Sequence, residues 1–269
     1  MSSLSEKEIE LRTILGNLGH AVIAFSGGVD SSLLAYLCQQ ELGDSCVAVT
    51  ARSYSFPQRE LDASSLFCNR YSIRQLFVDN NEFDIDGFAD NGPDRCYLCK
   101  SALFSKIRKC ADELDIVWII EGSNLDDEGD YRPGMQAIRE HGVLSPLREA
   151  GFTKKDIREL SRGLGLLTAD NPSFACLATR FAFGEKITPV KLTRVDKAEQ
   201  FLLDEGLRLL RVRSHADLAR IETDEEGMRA LLSYDLRKRV HEALIGFGFT
   251  HVSVDLMGYR MGSMNIGVE

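Results

Sequence analysis

The residues best suited to chemistry are one glycine-rich turn and a few thiols. Ser26-Gly27-Gly28-Val29-Asp30-Ser31-Ser32 combines two glycines, which let a backbone approach an anion closely, with the hydroxyls of Ser26, Ser31 and Ser32. A helix start follows, whose free N–H groups and positive dipole end attract phosphate. Asp30 is a poor phosphate ligand but a good one for a Mg²⁺ ion bridging phosphates. Together these residues describe a pyrophosphate cradle. There is no G-x-x-x-x-G-K-[ST], and no G-x-G-x-x-G, so neither the lysine-bearing phosphate loop nor a dinucleotide fold is indicated. A serine-capped strand-to-helix turn is the bland alternative, but it does not call for two glycines, an aspartate and two serines together.

Cys96-Tyr97-Leu98-Cys99 opens a helix after Pro93. Such a pair is a redox dithiol or half of a metal site. Zinc would want two more ligands nearby, and Cys110 falls on a different patch of the same helix. Cys176 lies in the polar loop Asn171–Arg180, a setting better suited to chemistry than to packing. Cys38, Cys46, Cys68 and Cys110 read as core residues. Arg211-Val212-Arg213 in a strand puts two guanidinium groups on one face, where they could clamp a phosphate or form a solvated charged surface. Glu199, Glu222 and His215 read as surface residues. Asp126-Asp127-Glu128 reads as a solvated turn or a contributor to a nucleotide site.

The elements that position these residues alternate. Residues 5–17 read as a helix and 21–25 (AVIAF) as a strand buried on both faces. Helix Ser31–Leu42, strand Cys46–Ala51, helix Pro57–Asn69, strand Arg74–Val78, helix Cys99–Leu114 and strand Ile116–Ile120 follow. That order predicts an α/β fold with a doubly wound, mostly parallel sheet, and its ligands belong at the carboxyl ends of the strands. A helix over Thr153–Arg162 stops near Gly163 and Gly165. Beyond it come helix Pro189–Glu205, strands Leu207–Arg213 and Leu218–Glu222, helix Glu225–Ile245 and strand His251–Leu256. This second pattern predicts a smaller C-terminal α+β domain, with residues 1–180 and 181–269 as the two parts.

Composition sets the outer bounds. The chain has 269 residues, a net charge of −9 and 44% hydrophobic residues, the profile of an ordinary globular protein. The acidic balance argues against nucleic-acid binding as its main work. No stretch has the length of apolar residues that a membrane helix needs. The charged N-terminus does not read as a signal peptide. Seven cysteines, an odd number, do not suggest a disulfide framework. The expectation is a cytoplasmic protein.

The turn SGGVDSS after an apolar strand resembles the PP-loop of ATP pyrophosphatases, which split ATP between the α and β phosphates and adenylylate a substrate oxygen. The resemblance narrows with Arg95-Cys96-Tyr97-Leu98-Cys99-Lys100, Glu121-Gly122-Ser123-Asn124, Asp130-Tyr131-Arg132-Pro133-Gly134, Ser145-Pro146-Leu147, Pro172…Cys176-Leu177-Ala178-Thr179-Arg180 and Gly258–Asn265. In this order, over nearly the whole chain, these motifs resemble the LarE family of ATP-dependent sulfur transferases in nickel-pincer-nucleotide synthesis, which serves lactate racemase. The resemblance implies ATP and Mg²⁺ as cofactors and pyridinium-3,5-biscarboxylic acid mononucleotide as substrate, its carboxylates becoming thiocarboxylates. It places Ser26, Gly27, Gly28, Asp30, Ser31 and Ser32 at ATP·Mg²⁺, Arg180, Arg211 and Arg213 at the substrate, and Glu199 and Glu222 in a metal-binding pocket. One version of the family uses a single cysteine, matching Cys176, as a sacrificial sulfur donor. The other holds a [4Fe-4S] cluster on three cysteines, which Cys96, Cys99 and Cys176 match. Sulfide or another donor then supplies the sulfur. A homo-oligomer is implied, hexamers being known in the family. A PP-loop tRNA thiolase and a non-catalytic nucleotide- or iron-sensing module are the competing readings.

Overall fold

The computed structural model describes residues 3–127, 133–172, 175–260 and 263–264. Of the residues singled out above, Glu128, Asp130, Tyr131, Arg132, Ser173, Phe174, Met261, Gly262 and Asn265 lie outside these ranges. The chain divides into two compact units. One runs to Asn81 and resumes at Cys96; the other takes in Glu82–Arg95 and the chain from Ala175 onward. The division is therefore not one cut after residue 180, because an internal segment crosses over.

The first unit contains α1 (Leu4–Leu18), β1 (Ala21–Ala24), α2 (Val29–Leu42), β2 (Cys46–Arg52), α3 (Gln58–Arg70), β3 (Arg74–Asp79), most of α4 (Arg95–Glu113), β4 (Ile119–Ile120), α5 (Pro133–Glu140), α6 (Pro146–Glu149) and α7 (Lys154–Gly163). The four strands are all parallel, in the order β3-β2-β1-β4. Alternation along β1 separates two cores. Ile23 packs with Leu11, Leu15, Leu33, Phe67 and Phe152 on one face. Val22 packs with Val47, Phe104, Ile107, Ile119 and Ile138 on the other. Helices thus cover both faces, which is why β1 is a continuous apolar run.

Sequence order reverses between β1 and β4. At such a switch point the connections leave in opposite directions, and a crevice opens at the carboxyl ends of the two strands. The turn after β1 is the Ser26–Ser32 loop, and the segment after β4 is Glu121–Asn124. Topology alone brings these two motifs together.

The second unit holds α8 (Pro189–Asp204), β5 (Leu210–His215), β6 (Leu218–Thr223), α9 (Glu225–Leu231), α10 (Tyr234–Gly246) and β7 (His251–Val254). β5 and β6 are antiparallel, and β7 joins β6 in parallel. The segment 82–95 is tied into this unit by its backbone and side chains. Asn91 donates to the Ala182 carbonyl at 2.6 Å, Gly184 N–H to Asn91 O at 3.0 Å, and Ile187 N–H to Ala89 O at 2.8 Å.

Several elements differ from expectation. The helix expected over Glu225–Ile245 is two helices, because Ser233 takes an extended conformation and starts α10. β4 keeps only Ile119–Ile120, since Val117 and Trp118 are exposed. β5 begins at Leu210, not Leu207. α4 begins at Arg95, so Cys96 and Cys99 both sit in its first turn. No helix among the described residues is long and apolar enough to cross a membrane.

Candidate functional site

In the first unit the cradle is built from β1 outward. Phe25 N–H still bonds to Val49 O at 2.9 Å, and the chain then turns at Gly27 with φ +73°. A side chain there would be strained in this conformation and would meet Ser64 Cβ at 3.2 Å. Gly28 is extended and starts α2, whose first N–H groups have no intrahelical partners. The Ser31 hydroxyl donates to Gly28 O at 3.1 Å and lies 3.1 Å from Ser26 Oγ. Ser32 is fully buried, its hydroxyl donating to Gly27 O at 3.3 Å. Ser31 and Ser32, both buried, thus close the turn, while Ser26 is exposed at its mouth.

Asp30 sits in the first turn of α2. Its Oδ2 accepts from Lys154 Nζ at 2.5 Å. Its Oδ1 is buried with no hydrogen-bond partner. Burial pushes the Asp30 carboxyl above its ordinary value, against the pull of the Lys154 charge. A buried carboxylate oxygen with open lone pairs beside a phosphate-ready loop fits the donor chemistry of Mg²⁺. Lys154 is a residue the sequence did not single out. One signal was available: a cation at the start of a helix opposes the helix dipole.

The second wall of the crevice is Glu121–Asn124. The Glu121 carboxylate is buried and accepts from Ser123 Oγ at 2.7 Å and Ser145 Oγ at 2.5 Å. Gly122 passes so close to α2 that a Cβ would stand 2.9 Å from Ser31 N and 3.2 Å from the Asp30 carbonyl carbon. Asp126 and Asp127 form a local turn, Asp127 accepting from Asn124 N–H at 3.0 Å.

Cys96 is exposed and Cys99 half-buried. One helical turn apart at the start of α4, they lie on one side of the helix. Tyr97 between them donates to Glu140 at 2.7 Å. Cys38, Cys46 and Cys68 are buried, as expected of core thiols, whereas Cys110 is only half-buried.

The second unit presents a dense set of ion pairs. Arg180 is 1% exposed. Its Nε and Nη2 bond both oxygens of Glu199, at 2.7 and 3.1 Å. Its Nη1 reaches the carbonyls of Ala175, at 2.9 Å, and Cys176, at 3.3 Å. Thr179 adds a hydroxyl bond to Cys176 O at 2.8 Å. Arg180 therefore lies beneath the Cys176 loop and holds its backbone, instead of standing open to a substrate. Glu199 also accepts from Val212 N–H at 3.0 Å. Burial acts to raise the Glu199 carboxyl, but the Arg180 charge and hydrogen bonds outweigh it and hold the group below its ordinary value.

Arg211 and Arg213 share one face of β5, as the spacing predicts, but both are buried. Arg213 pairs with Glu222 at 2.9 Å and bonds Thr179 O at 3.1 Å. Glu222 also takes Arg220 at 3.2 Å and the Ser263 hydroxyl at 2.8 Å. Arg211 stacks over Tyr259, 5.1 Å from the ring centre. Burial and the nearby Arg180 charge lower the Arg211 pKa. The expected metal carboxylates, Glu199 and Glu222, are thus both occupied by arginines. Among the described residues no three His, Cys, Asp or Glu side chains stand grouped as a metal site.

Comparison with known proteins fits this anatomy. NAD synthase, as a family, matches residues 11–110, the stretch that carries the cradle. An uncharacterized protein of Synechocystis sp. is 39% identical over 97% of this chain and 98% of its own length. The pyridinium-3,5-bisthiocarboxylic acid mononucleotide synthase of Lactiplantibacillus plantarum is 33% identical over 98% of this chain and 96% of its own. The chain belongs to the LarE family. A glutamine-hydrolyzing GMP synthase of Thermoplasma acidophilum has a subunit that is similar over a shorter span, 29% identical over 69% of this chain and 64% of its own length. The PP-loop domain of this chain is thus similar to proteins outside the LarE family. The protein is an ATP-using PP-loop enzyme, with a parallel α/β nucleotide unit and a smaller mixed-sheet unit.

Proposed function

We propose that this protein converts a carboxylate of pyridinium-3,5-biscarboxylic acid mononucleotide into a thiocarboxylate at the expense of ATP. The observation that carries the reading is the end-to-end similarity to the L. plantarum synthase, joined to a cradle that holds a bare, buried Asp30 oxygen. A carboxylate oxygen attacks the α-phosphorus of ATP and pyrophosphate leaves. The resulting acyl-adenylate has a good leaving group where the carboxylate had a poor one. A sulfur nucleophile then adds to the acyl carbon and AMP departs. Ser26, Gly27, Gly28, Ser31 and the α2 N-terminus would receive the phosphates. Asp30 would hold Mg²⁺, which neutralises phosphate charge.

Arg211 and Arg213 would meet the substrate phosphate, with Glu199 and Glu222 setting their positions. Arg180 would act from below, keeping the Cys176 backbone in place. Cys96 is exposed and Cys99 and Cys176 are half-buried; three thiols are the donor chemistry of an iron–sulfur cluster. These three thiolates would hold a [4Fe-4S] cluster, which would supply sulfur from an external donor and so allow repeated turnover. The second reading, with Cys176 as a one-use sulfur donor, draws support from its tightly held loop. A cytoplasmic homo-oligomer completes the proposal.

Anaerobic purification followed by iron and acid-labile sulfide analysis separates the two. About four of each per chain in the wild type, with a clear loss in Cys96→Ala, is the expected result. Pyrophosphate release that requires the dicarboxylate, with oxygen replaced by sulfur in the product mass, tests the reaction itself. Pyrophosphate release indifferent to that substrate would overturn the reading.

A further inference from the structure

The Lys154–Asp30 pair is a contact in the cradle that the reaction scheme leaves unused. Lys154 comes from α7, far along the chain, and its position is fixed from three sides. Thr153 and Asp156 close a reciprocal cap at the start of α7. The Lys154 backbone N–H donates to Asp126 Oδ2 at 2.8 Å. Its ammonium then reaches Asp30 Oδ2 at 2.5 Å. The pair is half-buried, where a charge pair is screened less than at the surface. The consequence for Asp30 is twofold. One oxygen is held, which fixes the carboxylate plane. The other, Oδ1, is left buried and bare.

A lone divalent cation approaching Oδ1 would meet a carboxylate already neutralised, with an ammonium beside it. A cation arriving with a triphosphate brings its own negative charge, which offsets the ammonium. We propose that Lys154 is a positioning residue that keeps Asp30 aimed into the loop while barring free divalent metal, so that the metal enters only together with ATP. This rests on the reading of Asp30 as the residue that holds Mg²⁺. It goes beyond that reading by assigning an order of loading and the side chain that imposes it.

The test uses Mn²⁺ as a paramagnetic stand-in for Mg²⁺, with full-length protein and no nucleotide, read by the loss of free Mn²⁺ signal. Wild type is expected to bind Mn²⁺ weakly alone and tightly with a non-hydrolysable ATP analogue. Lys154→Met is expected to bind Mn²⁺ alone about 10- to 100-fold more tightly than wild type, from removal of one charge at close range. Lys154→Arg keeps the charge and is expected to behave like wild type. Adding Asp30→Asn to Lys154→Met is expected to abolish the gained binding. Far-ultraviolet circular dichroism confirms folding for each variant. Wild type and Lys154→Met binding Mn²⁺ alone with equal affinity would overturn the role of Lys154. That result leaves untouched the carboxylate-dependent pyrophosphate release by which the function is judged. Gained binding that survives Asp30→Asn would place the metal elsewhere and overturn the assignment of Asp30.

Discussion

Replacing Glu199 by glutamine probes the frame under the Cys176 loop. The substitution keeps the shape but removes the charge that faces Arg180 and, by its field, Arg211. Both partners of the Arg180–Glu199 pair are almost fully buried, at 1% and 3% exposure. Removing one member of such a pair leaves an unpaired charge in the interior, at a cost of about 3–5 kcal/mol. That corresponds to about a hundred- to several-thousand-fold in the opening equilibrium of the second unit. Hydrogen exchange at Val212 is the direct assay, because its N–H donates to Glu199 Oε1 at 3.0 Å. The amide is expected to lose protection together with its β5 neighbours, while the β1 and β2 amides keep theirs. Acid should mimic the mutation. The Glu199 carboxyl is held below its ordinary value of 4.5. Its contribution to stability is therefore complete above 4.5 and disappears as pH falls through the lowered native value. Glu205→Gln, which breaks the exposed pair with Arg239, is the control and should leave β5 unchanged. If Glu199→Gln exchanges no faster at Val212 than Glu205→Gln does, the reasoning from buried charge fails.

Three further outcomes follow from the same structure. Gly122→Ala should weaken ATP binding at least about tenfold with the fold intact, because its Cβ would stand 2.9 Å from the backbone nitrogen of Ser31; calorimetry with ATP reads this, and unchanged affinity would refute the close approach. Asp156→Asn should destabilise the first unit by about 1 kcal/mol through loss of the α7 cap, with the half-exposed Lys7 pair adding little in salt. Burial opposes ionisation of Asp156, but the Lys7 and Thr153 hydrogen bonds prevail and hold it at about 2, so this contribution is present above 3.8 and lost as pH falls toward 2; urea titrations across that range report it. Brief alkylation at pH 8 followed by peptide mass analysis should label Cys96 well before Cys68, which is buried and whose thiol burial pushes up to about 12; equal labelling would count against an intact core.

How much was legible in the sequence depended on range. The β1 turn and α2 could be read because an apolar run, two glycines and a serine-rich helix start are all local signals. The CxxC pair was visible for the same reason. The break between α9 and α10 was missed although the spacing carries it: Gly227 and Leu231 keep one helical step, Leu236, Val240 and Leu244 another, and a step of five separates them where Ser233 turns extended. α6 went unrecognised although Pro146 stands at its first position, since four residues carry no periodicity. At the site, residue types were found but not their partners. Arginines were assigned to phosphate and glutamates to metal as separate groups, whereas the fold pairs Arg180 with Glu199 and Arg213 with Glu222. Lys154 and Asp30 lie 124 positions apart, and no local pattern can foretell such a contact.

The excursion of Glu82–Arg95 into the second unit bears on how such a protein can be cut or inherited. A gene fragment beginning near residue 180 would encode β5, β6 and β7 but leave Asn91 and Arg95 behind, along with their bonds to Ala182 and Ala178. The C-terminal part is thus no cassette to be exchanged between enzymes by a single recombination. An exchange of the C-terminal part would have to carry the 82–95 segment with it, which takes more than one cut.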